Sequence, residues 1–185
     1  MKLTAITDRL FHVEDVFPYE IVSQLQALDW TAIAWKKNQH QQHWPRRQLE
    51  FDNTSEIKVA NQYLIDNIAQ IGEQISVELS WPDTNWWVDE PGFDVAIHTD
   101  GHLAAAMQLY WHGVGPEHGT VFYNSKNSHD VLYPFKFVPN SGYLMLNQLN
   151  LDGSQPLQWH GMQNPVPPGH YRVSSYTHFA NYKTK

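Results

Sequence analysis

Three short segments of this sequence carry side chains that can bind a metal ion and an acidic ligand. His98 and Asp100 lie two residues apart, and His160 follows later in the chain. Two imidazoles and one carboxylate form the facial ligand set that holds Fe(II) and leaves coordination positions open. Arg172 and Ser174 come 12 residues and more after His160. Because arginine binds carboxylates through paired N–H donors, this last segment suits an acidic substrate or cosubstrate.

Short strands are expected to position these side chains. From residue 85 onward, aromatic and β-branched segments are separated by Gly, Pro and Asn, which predicts many short antiparallel strands. Before them, apolar residues recur at helical spacing after Pro18 and again after Asn53. We therefore predict a mainly β protein, a double-stranded β-helix (jelly roll), with an α/β N-terminal flank of about two helices covering one outer face. Residues 1–185 are expected to form a single domain.

The strand pattern places the candidate metal ligands at strand ends. His98 and Asp100 follow the apolar segment FDVAI, and residues two apart on an extended chain point to the same side. The same reasoning makes His102 a competing ligand. His160 lies at the end of LQWH and reaches the same ion only if the two strand ends meet. The sequence has 11 histidines, most of which must be surface or packing residues, so one histidine pair does not establish a metal site.

The segment YRVSSYTHF predicts a strand with two different faces. Arg172, Ser174, Tyr176 and His178 share one face, together with His170 just before the strand. An arginine among aromatic neighbours indicates an anionic partner, because an unpaired buried charge is costly. The alternative is an edge position or an internal ion pair with one of the 19 acidic residues.

Composition limits the classes of partner. Without cysteine, any metal must be held by His, Asp or Glu. The formal net charge of −7 disfavours nucleic acid as the default partner, although a local basic patch remains compatible with it. The sequence has no apolar run of transmembrane length and its first residues lack the apolar core of a signal peptide, which predicts a cytoplasmic protein without a membrane partner. The oligomeric state is left open.

The order of these residues resembles the Fe(II)/2-oxoglutarate-dependent oxygenase superfamily, and the flanking text resembles its prolyl-hydroxylase-like members. In that superfamily a His-x-Asp pair precedes a distal histidine and then a basic residue. Here the corresponding gaps, from His98 to His160 and from His160 to Arg172, are 62 and 12 residues. The segments PNSGYLMLN and HGMQNPVPPGHYRVSSYTHFA carry the rest of the resemblance, which covers about residues 85–180 and, more loosely, the N-terminal strand and helix.

The resemblance implies a role for each residue of the pattern. His98, Asp100 and His160 would ligate Fe(II), and 2-oxoglutarate would chelate the iron with its distal carboxylate on Arg172 and Ser174. Tyr110 would help to hold the oxoacid, although an ordinary packed tyrosine is the alternative. O2 would be consumed, 2-oxoglutarate would become succinate, and an unidentified substrate, either a small molecule or a prolyl or other amino-acid residue of a peptide, would be hydroxylated.

Two other functions remain open from the sequence. A non-catalytic jelly-roll binding module would account for the strands and aromatic residues but not for the ligand order. A cupin-like metal enzyme that does not use 2-oxoglutarate would keep the ligands but give Arg172 and Ser174 no role. Arg46 and Arg47 are further candidates for the mouth of a site that binds an anionic or peptide substrate, with ordinary solvated arginines as the alternative.

Overall fold

The computed structural model describes residues 1–37, 44–49, 54–100, 104–147 and 158–184. Within these residues the chain forms two α-helices, α1 (Tyr19–Ala27) and α2 (Ser55–Gln74). The strands, in chain order, are β1 (Lys2–Ala5), β2 (Leu10–Glu14), β3 (Trp35–Lys36), β4 (Arg46–Leu49), β5 (Val77–Asp89), β6 (Ala105–His112), β7 (Thr120–Tyr123), β8 (Val131–Phe135), β9 (Ser141–Leu146), β10 (Trp159–Met162) and β11 (Arg172–Thr184).

Two antiparallel sheets contain these strands. The larger has the order β1-β2-β9-β6-β11-β5-β4-β3, and the smaller has the order β10-β7-β8. An isolated antiparallel bridge between His98 and His160 adds one further segment beside β10. The predicted jelly roll with an N-terminal helical flank is confirmed. That the whole chain forms one domain stays a prediction.

The helices cover one face of the larger sheet. The apolar stripe of α2 packs with residues of β5, β6 and β11 in one core, and its buried members are Ile57, Ala60, Leu64 and Ile71. Each of the isoleucine and leucine side chains contributes about 1.5–3 kcal/mol when fully buried. The cap of α2 is Thr54, whose hydroxyl accepts from the backbone N–H of Ile57 at 3.2 Å, whereas Asn53 lies outside the described residues. In the described chain, no helix is both long and apolar enough to cross a bilayer.

A second core lies between the two sheets. It is largely aromatic and includes Tyr110, Phe122, Phe135 and Tyr143. Strand β11 belongs to both cores, because alternate side chains point to opposite faces of a strand. Val173 and Phe179 pack on the helix side, while the face with Arg172 and Tyr176 turns toward the smaller sheet.

The sequence predicted a strand at FDVAI, residues 93–97, and this prediction is wrong. The segment makes separate hydrogen bonds, from Met162 N–H to the Val95 carbonyl at 3.1 Å and from Val166 N–H to the Phe93 carbonyl at 3.0 Å. These donors lie on β10 and on the following turn, so no continuous ladder forms. Gly161 permits the close approach, since a Cβ at that position would lie 2.9 Å from the Val95 carbonyl oxygen.

Candidate metal centre

Backbone pairing brings His98 and His160 side by side. The N–H of each residue donates to the carbonyl of the other, at 2.9 Å in both directions. Residues directly opposite each other on antiparallel chains place their side chains in contact, and the two ring centroids are 4.4 Å apart. The two histidines therefore meet, as the sequence required, but through an isolated bridge between His98 and the second residue of β10 rather than through two strand ends.

Asp100 completes a cluster of three ligands. The Nε2 atom of His98 lies 3.4 Å from Oδ1 of Asp100, and Nε2 of His160 lies 3.5 Å from Oδ2. One ligand atom from each residue can be chosen so that all lie within 4.8 Å of one another. The structure thus brings together the three residues that the sequence singled out, whereas the competitor His102 lies outside the described residues.

Backbone carbonyls fix the tautomer of both imidazoles. Nδ1 of His98 is 2.9 Å from the Ala96 carbonyl oxygen, and Nδ1 of His160 is 2.9 Å from the Gln158 carbonyl oxygen. Since a carbonyl only accepts, each Nδ1 carries the proton, and the neutral ring keeps its lone pair on Nε2. Metal-binding histidines are oriented in this way in proteins. The donor set fits a divalent metal ion with three protein ligands and open positions.

The cluster favours an ionised carboxylate. Burial alone would raise the pKa of Asp100, but the contacts of its carboxylate with His160, His98 and Tyr176 lower it well below its ordinary value. The Tyr176 hydroxyl donates to Oδ2 of Asp100 at 2.5 Å. Burial lowers the pKa of His98, but the contact with Asp100 and the contact with the Ala96 carbonyl together outweigh burial and raise that pKa above its ordinary value. Asp100 is consequently available as an anionic ligand at neutral pH.

The three ligands lie in the wall of a cavity of about 300 Å³. This is the lower end of the range for sites that enclose a small molecule. Arg46, Arg172, Gln108 and Thr120 also line it, so one cavity holds the metal-ligand cluster and two guanidinium groups.

Arg172 is an ion-pair partner as well as a cavity residue. It is 2% exposed, and its Nε and Nη2 atoms each lie 2.7 Å from Oδ2 of Asp89. Its Nη1 donates to the His118 carbonyl at 3.0 Å. Asp89 is fully buried and also accepts from Nε of Arg46 at 2.5 Å. Both interpretations of Arg172 from the sequence therefore apply, because it lines the cavity and forms an internal ion pair.

Ser174 and Tyr110 stand behind the cavity wall and are fully buried. Gln108 Nε2 donates to the Ser174 hydroxyl at 3.3 Å, and the Thr120 N–H donates to the Tyr110 hydroxyl at 3.1 Å. The Thr120 hydroxyl donates to Oε1 of Gln108 at 3.2 Å, which joins the two contacts. Ser174 and Tyr110 thus support two residues that line the cavity, and their contact with an oxoacid stays a prediction.

No protein-family profile matches the sequence, and no curated protein is similar enough to match it. Solved structures are similar in fold. A prolyl-4-hydroxylase from Pseudomonas putida has a TM-score of 0.56 and 14% identity, over 93% of this chain and 87% of that one. The viral collagen prolyl hydroxylase of Paramecium Bursaria Chlorella virus-1, in its 2OG complex, has a TM-score of 0.54 and 9% identity, over 94% and 96%. HygX from Streptomyces hygroscopicus, with nickel and 2-oxoglutarate bound, has a TM-score of 0.53 and 10% identity, over 92% and 82%.

The chain has the fold of the 2-oxoglutarate oxygenases. At identities of 9–14% the likeness establishes this oxygenase fold, and the activity must be argued from the site itself.

Sequence reasoning missed two residues of this oxygenase-fold site and left a third undecided. Asp89 is the cross-strand neighbour of both Arg46 and Arg172, and the sequence shows only an acid that ends the apolar run NWWV. Tyr176 was placed on the correct face of β11 but not recognised as a partner of Asp100. Arg46 and Arg47 were considered together, and the structure separates them: Arg46 lines the cavity, whereas Arg47 is 45% exposed and pairs with Glu90.

Proposed function

We propose that this protein is an Fe(II)- and 2-oxoglutarate-dependent oxygenase that hydroxylates a small molecule or a peptide in the cytoplasm. The observation that carries the proposal is one cavity with His98, Asp100 and His160 in its wall and the guanidinium groups of Arg46 and Arg172 in the same lining. A 2-oxoacid with a second carboxylate needs both features, a metal for its oxoacid end and a cation for its far end.

The residues of the chain hold and orient the reacting groups. His98, Asp100 and His160 would bind Fe(II), which together with 2-oxoglutarate supplies the activation of O2 when both are bound. The carbonyls of Ala96 and Gln158 keep each Nε2 directed at the metal position. These contacts prepare the site before the ligands arrive, which reduces the cost of ordering it.

The remaining lining suits the oxoacid and limits water. Gln108 and Thr120 offer polar atoms to the cavity, and Arg172 offers a cation. Tyr143 and Met162 are buried residues of the same lining. Buried lining of this kind lowers the local polarity, which strengthens electrostatic contacts at the reactive centre.

The two other functions explain fewer observations. A binding module gives no reason for two imidazoles whose Nδ1 atoms are tied to carbonyls and whose Nε2 atoms meet one carboxylate. A metal enzyme that does not use 2-oxoglutarate accounts for the ligands but leaves Arg46 and Arg172, which line the same cavity, without a ligand.

The test is anaerobic addition of Fe(II) and 2-oxoglutarate, followed by visible absorption spectroscopy. We expect the weak charge-transfer band of an Fe(II)–2-oxoglutarate chelate, and succinate production once O2 is admitted. Asp100→Ala should give neither, and Zn(II) in place of Fe(II) should give no band. Bound iron without a band would favour the cupin-like alternative, and no bound metal would favour the binding module.

A further inference from the structure

The cation that the oxygenase pattern assigns to the oxoacid is already paired in this chain. Arg172 faces Asp89, and both side chains are almost completely buried, at 2% and 0% exposure. Burial raises the pKa of Asp89, but Arg46 and Arg172 lower it below its ordinary value, so the carboxyl is ionised at neutral pH. One guanidinium and one carboxylate have no net charge. Arg172 with Asp89 alone would attract a further carboxylate only weakly.

Arg46 restores the positive charge. Its Nε lies 2.5 Å from Oδ1 of Asp89 and its Nη2 lies 3.2 Å from Oδ2, so the two arginines share one carboxylate. Both guanidinium groups also lie near the ring of Phe93, with Cζ atoms 4.1 Å and 5.9 Å from its centroid. The cluster of two arginines and one aspartate carries one net positive charge, which matches a single carboxylate.

The neighbouring acid Glu90 does not cancel this charge. Glu90, which follows Asp89, pairs with Arg47 and lies 3.4 Å from the Nζ atom of Lys37. These contacts are more exposed than those of Asp89, because the side chains of Lys37 and Arg47 are each 45% exposed. Glu90 is therefore compensated by its own partners, and the charge of Arg46 remains for a ligand.

We propose that Arg46 binds the distal carboxylate of 2-oxoglutarate together with Arg172, and that Asp89 is the positioning residue that holds both guanidinium groups. The inference rests on the proposed function. A guanidinium has five N–H donors, and each Nη atom carries two of them. Nη2 of either arginine can thus contact Asp89 and still direct a hydrogen toward the cavity. Arg46 lies on β4, outside the residues that the oxygenase resemblance covers.

The test compares two oxoacids on the nickel-loaded protein by calorimetry. 2-Oxopentanoate has the same carbon chain as 2-oxoglutarate but ends in a methyl group where 2-oxoglutarate has its distal carboxylate. Arg46→Gln should weaken 2-oxoglutarate binding by roughly 10- to 100-fold, as expected for loss of a charge-assisted contact, and leave 2-oxopentanoate binding unchanged. Arg46→Lys keeps the charge and should lose less. Arg47→Gln, which alters the adjacent exposed arginine, is the matched control and should bind both oxoacids as the wild type does.

The selectivity between the two oxoacids separates binding from mere structural support. If Arg46 only supported the structure, Arg46→Gln would lower the affinity for both compounds equally. That result would overturn the inference. Unchanged 2-oxoglutarate affinity in Arg46→Gln would also overturn it. If Arg46→Gln does not fold, the ratio of the 2-oxoglutarate affinity to the 2-oxopentanoate affinity in Arg46→Lys decides in the same way. Failure of the nickel-loaded wild type to bind 2-oxoglutarate would instead remove the proposed function.

Discussion

The metal end and the arginine end of the cavity are built from different contacts. At the metal end, backbone groups determine the geometry: a bridge joins His98 to His160, and carbonyls hold both rings. At the arginine end, side-chain charges from three strands determine it, with Arg46 on β4, Asp89 on β5 and Arg172 on β11.

Because of this difference, we expect substitutions at the metal end to affect metal binding and substitutions at the arginine end to affect stability. A metal-end side chain can be removed while the backbone pairing remains, so the loss should fall on the metal. The arginine end balances buried charges, and removal of one member leaves the others uncompensated in a site of low polarity. The expected effects below test this division, beginning with the largest.

Asp89→Asn should cost about 3–5 kcal/mol of the free energy of unfolding, because two guanidinium groups lose the buried carboxylate that they share. Urea denaturation at pH 7 measures the loss. Glu90→Gln, which alters a more exposed ion pair, is the control and should cost less than about 1 kcal/mol. Equal stability of Asp89→Asn and the wild type would show that the arginine end does not carry the fold.

The contact of Asp89 with the two arginines also predicts that the free energy of unfolding depends on pH. Burial raises the pKa of Asp89, but Arg46 and Arg172 outweigh burial, so this pKa is lowered in the folded state. A lowered pKa contributes stability that is fully present above the unfolded pKa of about 3.9 and is lost as pH falls through the folded pKa. The difference in unfolding free energy between wild type and Asp89→Asn should be constant from pH 5 to about 8 and should narrow below about pH 4. A difference that widens on acidification would contradict the assignment.

His160→Ala should weaken Fe(II) binding by about 100-fold or more, since loss of a ligand exceeds the loss of its hydrogen-bond partner. The cost in unfolding free energy should be smaller than that of Asp89→Asn. Metal analysis and denaturation on one preparation measure both quantities. His170→Ala, at an exposed position, is the matched control. Full iron stoichiometry in His160→Ala would remove His160 from the ligand set.

Arg172→Lys should raise the Kd of 2-oxoglutarate by roughly 10- to 100-fold while Fe(II) binding stays nearly unchanged. Lysine presents a point charge and cannot contact Asp89, the His118 carbonyl and a ligand carboxylate in the planar manner of arginine. Succinate production against 2-oxoglutarate concentration measures the change. An unaltered curve would make Arg172 purely structural.

Tyr176→Phe should have the smallest effect, about a tenfold loss of Fe(II) affinity, at the low end for partners of metal ligands. The substitution removes one hydrogen bond to Asp100 and leaves the ring in place. Tyr19→Phe, whose residue is 80% exposed, is the control for loss of a hydroxyl. Titration of both variants with Fe(II) measures the change. Identical Fe(II) affinities of Tyr176→Phe and Tyr19→Phe would show that Tyr176 does not orient Asp100.

Periodicity made much of the fold predictable. The alternation in YRVSSYTHF separated the cavity face of β11 from its core face, and the structure confirms it, because a pleated strand has no other way to place these side chains. The stripe of α2 was equally clear, since Ile57, Ala60 and Leu64 recur once per helical turn. The prediction of a strand at FDVAI was wrong because an apolar run does not reveal whether a neighbouring strand completes the hydrogen-bond ladder.

The sequence by itself determined the kinds of ligand and their local spacing. His98 and Asp100 are only two residues apart, so their side chains can reach one ion, and the absence of cysteine restricted the donors to nitrogen and oxygen. Only the tertiary structure decided that Asp89 neutralises Arg172, that Arg46 adds a second cation and that Tyr176 donates to Asp100. These pairings join residues 43 to 83 positions apart, so they depend on strand register, which the whole packed sheet sets and no local pattern encodes.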